Sequence, residues 1–146
     1  MSSSRIAELT GTTRHTVNNL LRHGPLATTD VVSQAVELLA ARALQDCGAS
    51  AAEARRVAAF WMTKLDELPT AWAFPAAGPF ITGLTPGGVP VEKSDSLQTI
   101  LAALADEGDD NWSETPAPEQ APVGVVIINI KEIERSVHQR LDEKEQ

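Results

Sequence analysis

The chain is poor in the residues that make small proteins cross-linked, metal-bound or catalytic. It has one cysteine, Cys47, so it forms no internal disulfide and builds no cysteine zinc cluster. Asp46 beside that cysteine predicts a raised thiol pKa, which argues against a reactive nucleophile. The three histidines, His15, His23 and His138, are scattered, and no constellation of side chains supports catalysis. Thr85-Pro86-Gly87-Gly88 has the glycines of a phosphate loop but not its Gly-Lys-Ser/Thr ending, so it reads as a turn. Asp109-Asp110 lacks further ligands at set spacing, which leaves no metal site. Long hydrophobic runs are also missing: no segment approaches the ~20 apolar residues of a membrane span. The first residues are polar, with an early charge, where a secretory signal needs an apolar run. These absences predict a cytoplasmic protein that is not an enzyme, carries no cofactor or metal and does not enter a membrane.

What is present suffices for a core. With 146 residues, 42% hydrophobic and 22% charged, the chain can build one ordinary core or two small ones. Its net charge of -8 is unevenly spread. Residues 1–64 carry seven basic groups against five acidic ones, a balance of +2, whereas residues 65–146 carry five against fifteen, a balance of -10. Such a chain is expected to meet a polyanion through its first half and to hold the second half away.

The stretch from Ser4 to Arg22 reads as two short helices hinged at Gly11, with Ile6, Leu9, Val17, Leu20 and Leu21 spaced to share one apolar contact. That pattern predicts a helix-turn-helix. Thr12 or Thr13 would cap the second helix, whose outer side then presents Arg14, His15, Asn18, Asn19 and Arg22. In a major groove Arg pairs with guanine and Asn with adenine, so Arg14, His15, Asn18 and Asn19 are the candidate base readers, and Thr16 belongs to the same DNA-binding set. Arg5, Arg22 and the amides at the helix start, near Thr12 and Thr13, would sit on phosphates.

His23-Gly24-Pro25-Leu26-Ala27 breaks the helix. A third helix is expected from Thr28 to about Asp46, capped by Thr28 or Thr29. The capping-box pattern Ser50-Ala51-Ala52-Glu53 opens a fourth, running to about Leu68 with Ala54, Val57, Ala58, Trp61, Leu65 and Leu68 as its stripe. From Pro69 the texture changes. Residues 79–83 and 89–92 look like two strands around a turn, with Pro90 confining the second to an edge. A fifth helix fits Ser96 to Ala105 with Asp95 as its cap, and residues 106–122 read as an acidic linker. Val123 to Ile130 is an uncharged strand followed directly by a helix carrying Ile133, Val137 and Leu141. An uncharged strand does not sit safely at an exposed edge, and pairing across a homodimer is the expected solution, with an internal three-stranded sheet as the alternative.

The expected fold is therefore mainly α with a small β component. Its parts are a four-helix head with the helix-turn-helix at 1–68, a hairpin and helix segment at 69–105, the linker at 106–122, and a strand–helix dimerisation segment at 123–146.

Arg5-Ile6-Ala7-Glu8-Leu9-Thr10-Gly11-Thr12-Thr13-Arg14-His15-Thr16-Val17, followed by Gly24-Pro25-Leu26, resembles the MerR and excisionase group of helix-turn-helix regulators. Gly48-Ala49-Ser50-Ala51-Ala52-Glu53-Ala54-Arg55 is similar to the start of that group's second helical pair. The resemblance covers about residues 1–65. It implies a DNA-binding head. The chain departs from the group in having Asn19 and Leu20 where paired tyrosines often stand, almost no room between Leu26 and Thr28 for a β-hairpin wing, no evident long dimerisation helix and no sensor cysteine set.

The leading expectation is a sequence-specific transcriptional regulator that binds double-stranded DNA as a homodimer and is nucleoid-associated. Three others compete: an excisionase-like architectural protein, an adaptor whose acidic C-terminal half binds a protein partner, and a small-molecule sensor with Trp72, Phe74 and Phe80 around a pocket.

Overall fold

The structure, a computed structural model, describes residues 3–64, 67–77, 80–81, 88–109 and 124–144. Most helices begin where a short polar side chain takes up a free amide. Helices α1 (Ser3–Thr10) and α2 (Arg14–Leu21) are separated by a turn in which Gly11 has φ +70, a conformation that costs other residues energy. Thr13 then caps α2, its Oγ1 accepting from the Thr16 amide at 3.1 Å. α3 (Val31–Asp46) starts at Asp30, whose Oδ2 accepts from the Ser33 amide at 3.0 Å. Thr28 does not cap it, because its amide and hydroxyl are both taken by the Glu37 side chain. α4 (Ala51–Lys64) opens on half of the expected capping pair: the Glu53 amide donates to Ser50 Oγ at 3.2 Å, but the Glu53 carboxylate accepts from the Ser50 hydroxyl, Oγ to Oε1 3.0 Å, in place of the Ser50 amide.

β1 (Ala71–Ala77) is the central strand of an antiparallel sheet. Along one edge it pairs with β4 (Gly124–Asn129) through six consecutive positions, from Ala71↔Asn129 to Ala76↔Gly124. Its other edge is shared by β3 (Val89–Val91), opposite Ala71–Ala73, and β2 (Phe80–Ile81), opposite Ala76 and Ala77. Pro75, which has no N–H to give, falls between the reach of β3 and that of β2. The expected hairpin is thus corrected: residues 80–81 and 89–91 are strands, but each pairs with β1 and not with the other.

The terminal strand is corrected in the same way. It pairs inside the chain, as in the internal-sheet alternative, because β1 supplies a partner that the sequence pattern does not announce. β1 reads Ala-Trp-Ala-Phe-Pro-Ala-Ala, rich in alanine and interrupted by proline, both poor strand signals.

Alternation along β1 divides the core. Trp72 and Phe74 face α3 and α4, where they pack with Trp61, Leu44, Ile128 and Ile130; the Trp61 and Phe74 rings are 5.0 Å apart. Ala71 and Ala73 face Ile100 and Leu104 of α5 (Leu97–Asp109), whose start is held by Ser96 Oγ accepting from the Thr99 amide, while Asp95 bonds back to the Glu92 amide. Trp72 and Phe74 are therefore core, not pocket lining, and the Phe80 side chain, Leu65 and residues 110–123 lie outside those described.

α6 (Ile130–Lys144) is started by Asn129, whose Oδ1 accepts from the Glu132 amide at 3.0 Å. It does not stand apart as a dimerisation element. Val137 is fully buried against Leu9 of α1 and Ala35 and Val36 of α3, so the last helix closes the core beneath the first. Ile6, Val17, Leu20 and Leu38 form the adjoining cluster beneath α2. No helix among the described residues is long and apolar enough to cross a membrane.

The Asp30 cap carries a pH signature. The Ser33 amide, chiefly, holds its carboxyl below the ordinary carboxylate value. A depressed folded-state pKa means that the stabilisation is present above the ordinary value and is lost as pH falls through the lowered one. Asp30→Ala should cost about 1 kcal/mol at neutral pH. In denaturant titrations the gap between wild type and variant should close on acidification below pH ~4.

Candidate nucleic-acid interface

α2 is held at both ends, and this decides what its outer side presents. Its start is fixed by the Gly11 turn and the Thr13 cap. Its far end runs into residues 22–30, where no strand lies between α2 and α3, so the wing expected to be lacking has no counterpart among the described residues. That loop is instead tied down by two buried charges. Glu37 of α3, fully buried, accepts from the Ala27 amide at 3.1 Å, the Thr28 amide at 3.0 Å and Thr28 Oγ1 at 2.9 Å. Arg55 of α4, 5% exposed, donates to the carbonyls of Leu20, Gly24 (2.9 Å) and Pro25 (3.1 Å). Burial pulls the Arg55 pKa down, and the Glu37 carboxylate partly offsets this. An arginine stays charged through such a shift, so its donors remain available.

With both ends fixed, Arg14, Asn18 and Arg22 follow one another at four-residue intervals along the exposed side of α2, while Val17 and Leu20 point inward. Arg14, Asn18 and Arg22 make no side-chain hydrogen bond or ion pair among the described residues. His15 and Asn19 flank this row and engage each other, Asn19 Nδ2 and His15 Nε2 being 3.2 Å apart. Thr13 Oγ1 donates to Thr16 Oγ1 at 3.1 Å, and the Thr12 hydroxyl lies 2.7 Å from that of Thr10. Arg5 sits on α1 beside Glu8, with N···O 3.7 Å. The structure thus gathers Arg14, His15, Asn18, Asn19 and Arg22 on one helix side, and leaves Thr12, Thr13 and Thr16 occupied in shaping its start.

A shallow groove of about 70 Å³ runs beside that side, between Thr16 and Asn19 of α2 and Arg42 and Gln45 of α3. Arg42 is half exposed and pairs with Asp46 at 3.1 Å. Burial, and then the Asp46 carboxylate, push the Cys47 thiol up, which keeps it protonated at neutral pH. No group of three or more His, Cys, Asp or Glu among the described residues could hold a metal ion.

Sequence reasoning missed Glu37 and Arg55. Their signal was a charge set inside an apolar stripe, Val36-Glu37-Leu38 and Ala54-Arg55 with Val57-Ala58, where a solvated charge has no place. Comparison with known proteins gave no match: no family model, no curated protein and no solved structure corresponds to this chain.

Arg55→Met should destabilise the protein by on the order of 3 kcal/mol, since it strands the Gly24 and Pro25 carbonyls and removes the counter-charge to Glu37. Arg55→Lys should recover part of the loss. Chemical denaturation measures both, and faster amide exchange at Ala27 and Thr28 in the methionine variant would locate the damage in the loop.

Proposed function

We propose that α1 and α2 form a helix-turn-helix and that the protein is a sequence-specific DNA-binding regulator. The observation that carries this reading is the exposed row Arg14, Asn18 and Arg22, whose side-chain donors have no partner among the described residues, on a helix fixed at both ends. Guanidinium and carboxamide groups so placed match the edges of guanine and adenine in a major groove, and His15 and Asn19 extend the row sideways. Arg5, Thr12, Thr13 and Thr16 would position the helix against the backbone. The likeness of residues 5–17 and 24–26 to the MerR and excisionase group points the same way.

One short helix reads few base pairs, so the reading includes a homodimer on a two-fold site. The surface that suits it is the outer edge of β4. Among the described residues no strand pairs with that edge, its six residues carry no charge, and Ile127 is 49% exposed. Antiparallel pairing of β4 with the same strand of a second copy is self-complementary.

Selection from a random DNA pool at near-physiological salt tests the DNA reading. Wild type should enrich a two-fold consensus, and the double variant Arg14→Ala with Asn18→Ala should lose it. Arg14→Ala alone should cost roughly 1–3 kcal/mol on the selected site and relax its base preference. No enrichment by folded wild type would overturn the reading and favour the protein-adaptor role for the acidic C-terminal half.

Sedimentation tests the dimer. Wild type should sediment as a dimer at micromolar concentration and Ile127→Lys as a folded monomer; a monomeric wild type would exclude β4 pairing.

A further inference from the structure

We propose that Arg140, near the far end of the chain, is a phosphate-binding residue on the same DNA-facing surface as α2; this rests on the DNA reading above. Its placement is unusual for a residue of the acidic half. The guanidinium lies over Gly11, the exposed turn residue between α1 and α2: a Cβ at Gly11 would meet Arg140 Nη2, Cζ and Nε at 2.5, 2.6 and 2.8 Å. Thr13, the cap of α2, is two residues further on and Arg14 three. The cation therefore stands at the threshold of the helix proposed to enter the groove.

Arg140 makes no hydrogen bond or ion pair among the described residues, although a guanidinium carries five donors in a fork that matches phosphate oxygens. Nearby charges do not neutralise it. It borders an open cleft of about 290 Å³ with Thr10, Arg42, Asp46, Glu132 and Ser136. Of the two carboxylates there, Asp46 is held by Arg42 at 3.1 Å and Glu132 by Arg135, whose Nε donates at 2.9 Å. Both carboxylates are thus engaged by other arginines, and Arg140 has no ion-pair partner among the described residues. It is also well mounted, since Val137, one turn earlier on α6, is fully buried against α1 and α3. A cation set on a rigid helix, with its donors unfilled, beside the start of a DNA-facing helix, has the chemistry and place of a backbone contact.

The test measures binding to a random-sequence duplex by fluorescence anisotropy across a salt series, with wild type, Arg140→Gln and Arg140→Lys. Wild type should bind at low salt. Arg140→Gln should weaken binding several-fold and lower the slope of log affinity against log salt by about one, while Arg140→Lys should keep the slope. An unchanged slope in Arg140→Gln, with any loss of affinity matched by a lower melting temperature, would show that Arg140 only packs against the turn, and would leave the DNA reading standing. Absence of wild-type binding at any salt would remove that reading and this one together. A measurement on wild type alone covers the case in which the glutamine variant does not fold. The Arg140 Nε–H resonance should shift when duplex is added, and a stationary resonance alongside shifting α2 resonances would overturn the proposal.

Discussion

Two buried charges, Glu37 and Arg55, hold a loop that has no secondary structure of its own. Residues 22–30 leave amides and carbonyls without helical or strand partners, and four hydrogen bonds with these two side chains, to the Ala27 and Thr28 amides and the Gly24 and Pro25 carbonyls, satisfy part of that demand. Taking a carboxylate and a guanidinium out of water is expensive, and it is offset here by three hydrogen bonds to each, although the buried Arg55 Nε finds no partner among the described residues. Arg55 also reaches the Leu20 carbonyl, so the constraint extends into the last turn of α2. The direction of that helix, and thus of Arg14, Asn18 and Arg22, follows from where α3 and α4 place one acid and one base.

The local parts of this architecture were legible in the sequence. The Gly11 turn, the Thr13 cap and the Ser50–Glu53 pair depend on residues within a few positions of one another, and the helices α1 to α4 stand close to where the apolar spacing puts them. Legibility failed where a distant group intervened. Thr28 looks like a cap until Glu37, nine residues on, takes both its amide and its hydroxyl, which leaves Asp30 to start α3. β1 was missed outright, because a strand of alanines around Trp72, Phe74 and Pro75 exists only by virtue of partners on both edges. Without β1, residues 80–81 and 89–91 have only each other to pair with, and β4 is left with a second chain or, as the alternative, with that hairpin.

Charge shows the same limit. Divided by position along the chain, the molecule has a mildly basic first half and a strongly acidic second half. In space the division does not hold, because α6 crosses back to α1 and sets Arg140 on the turn before α2. The side of α2 likewise looked uniformly available, yet His15 with Asn19 and Thr13 with Thr16 satisfy one another, which among the described residues concentrates the unused donors in Arg14, Asn18 and Arg22.

The burial of Val137 against Leu9 also sets an order of events during synthesis. Leu9 of α1 finds part of its cover in Ala35 and Val36 of α3, but Val137 of α6 is made more than a hundred residues after it. Contacts of such sequence separation close late and together. The pair α1 and α2 can therefore settle on Leu38 of α3 early, while the part of its underside around Leu9 stays incompletely covered until α6 is made.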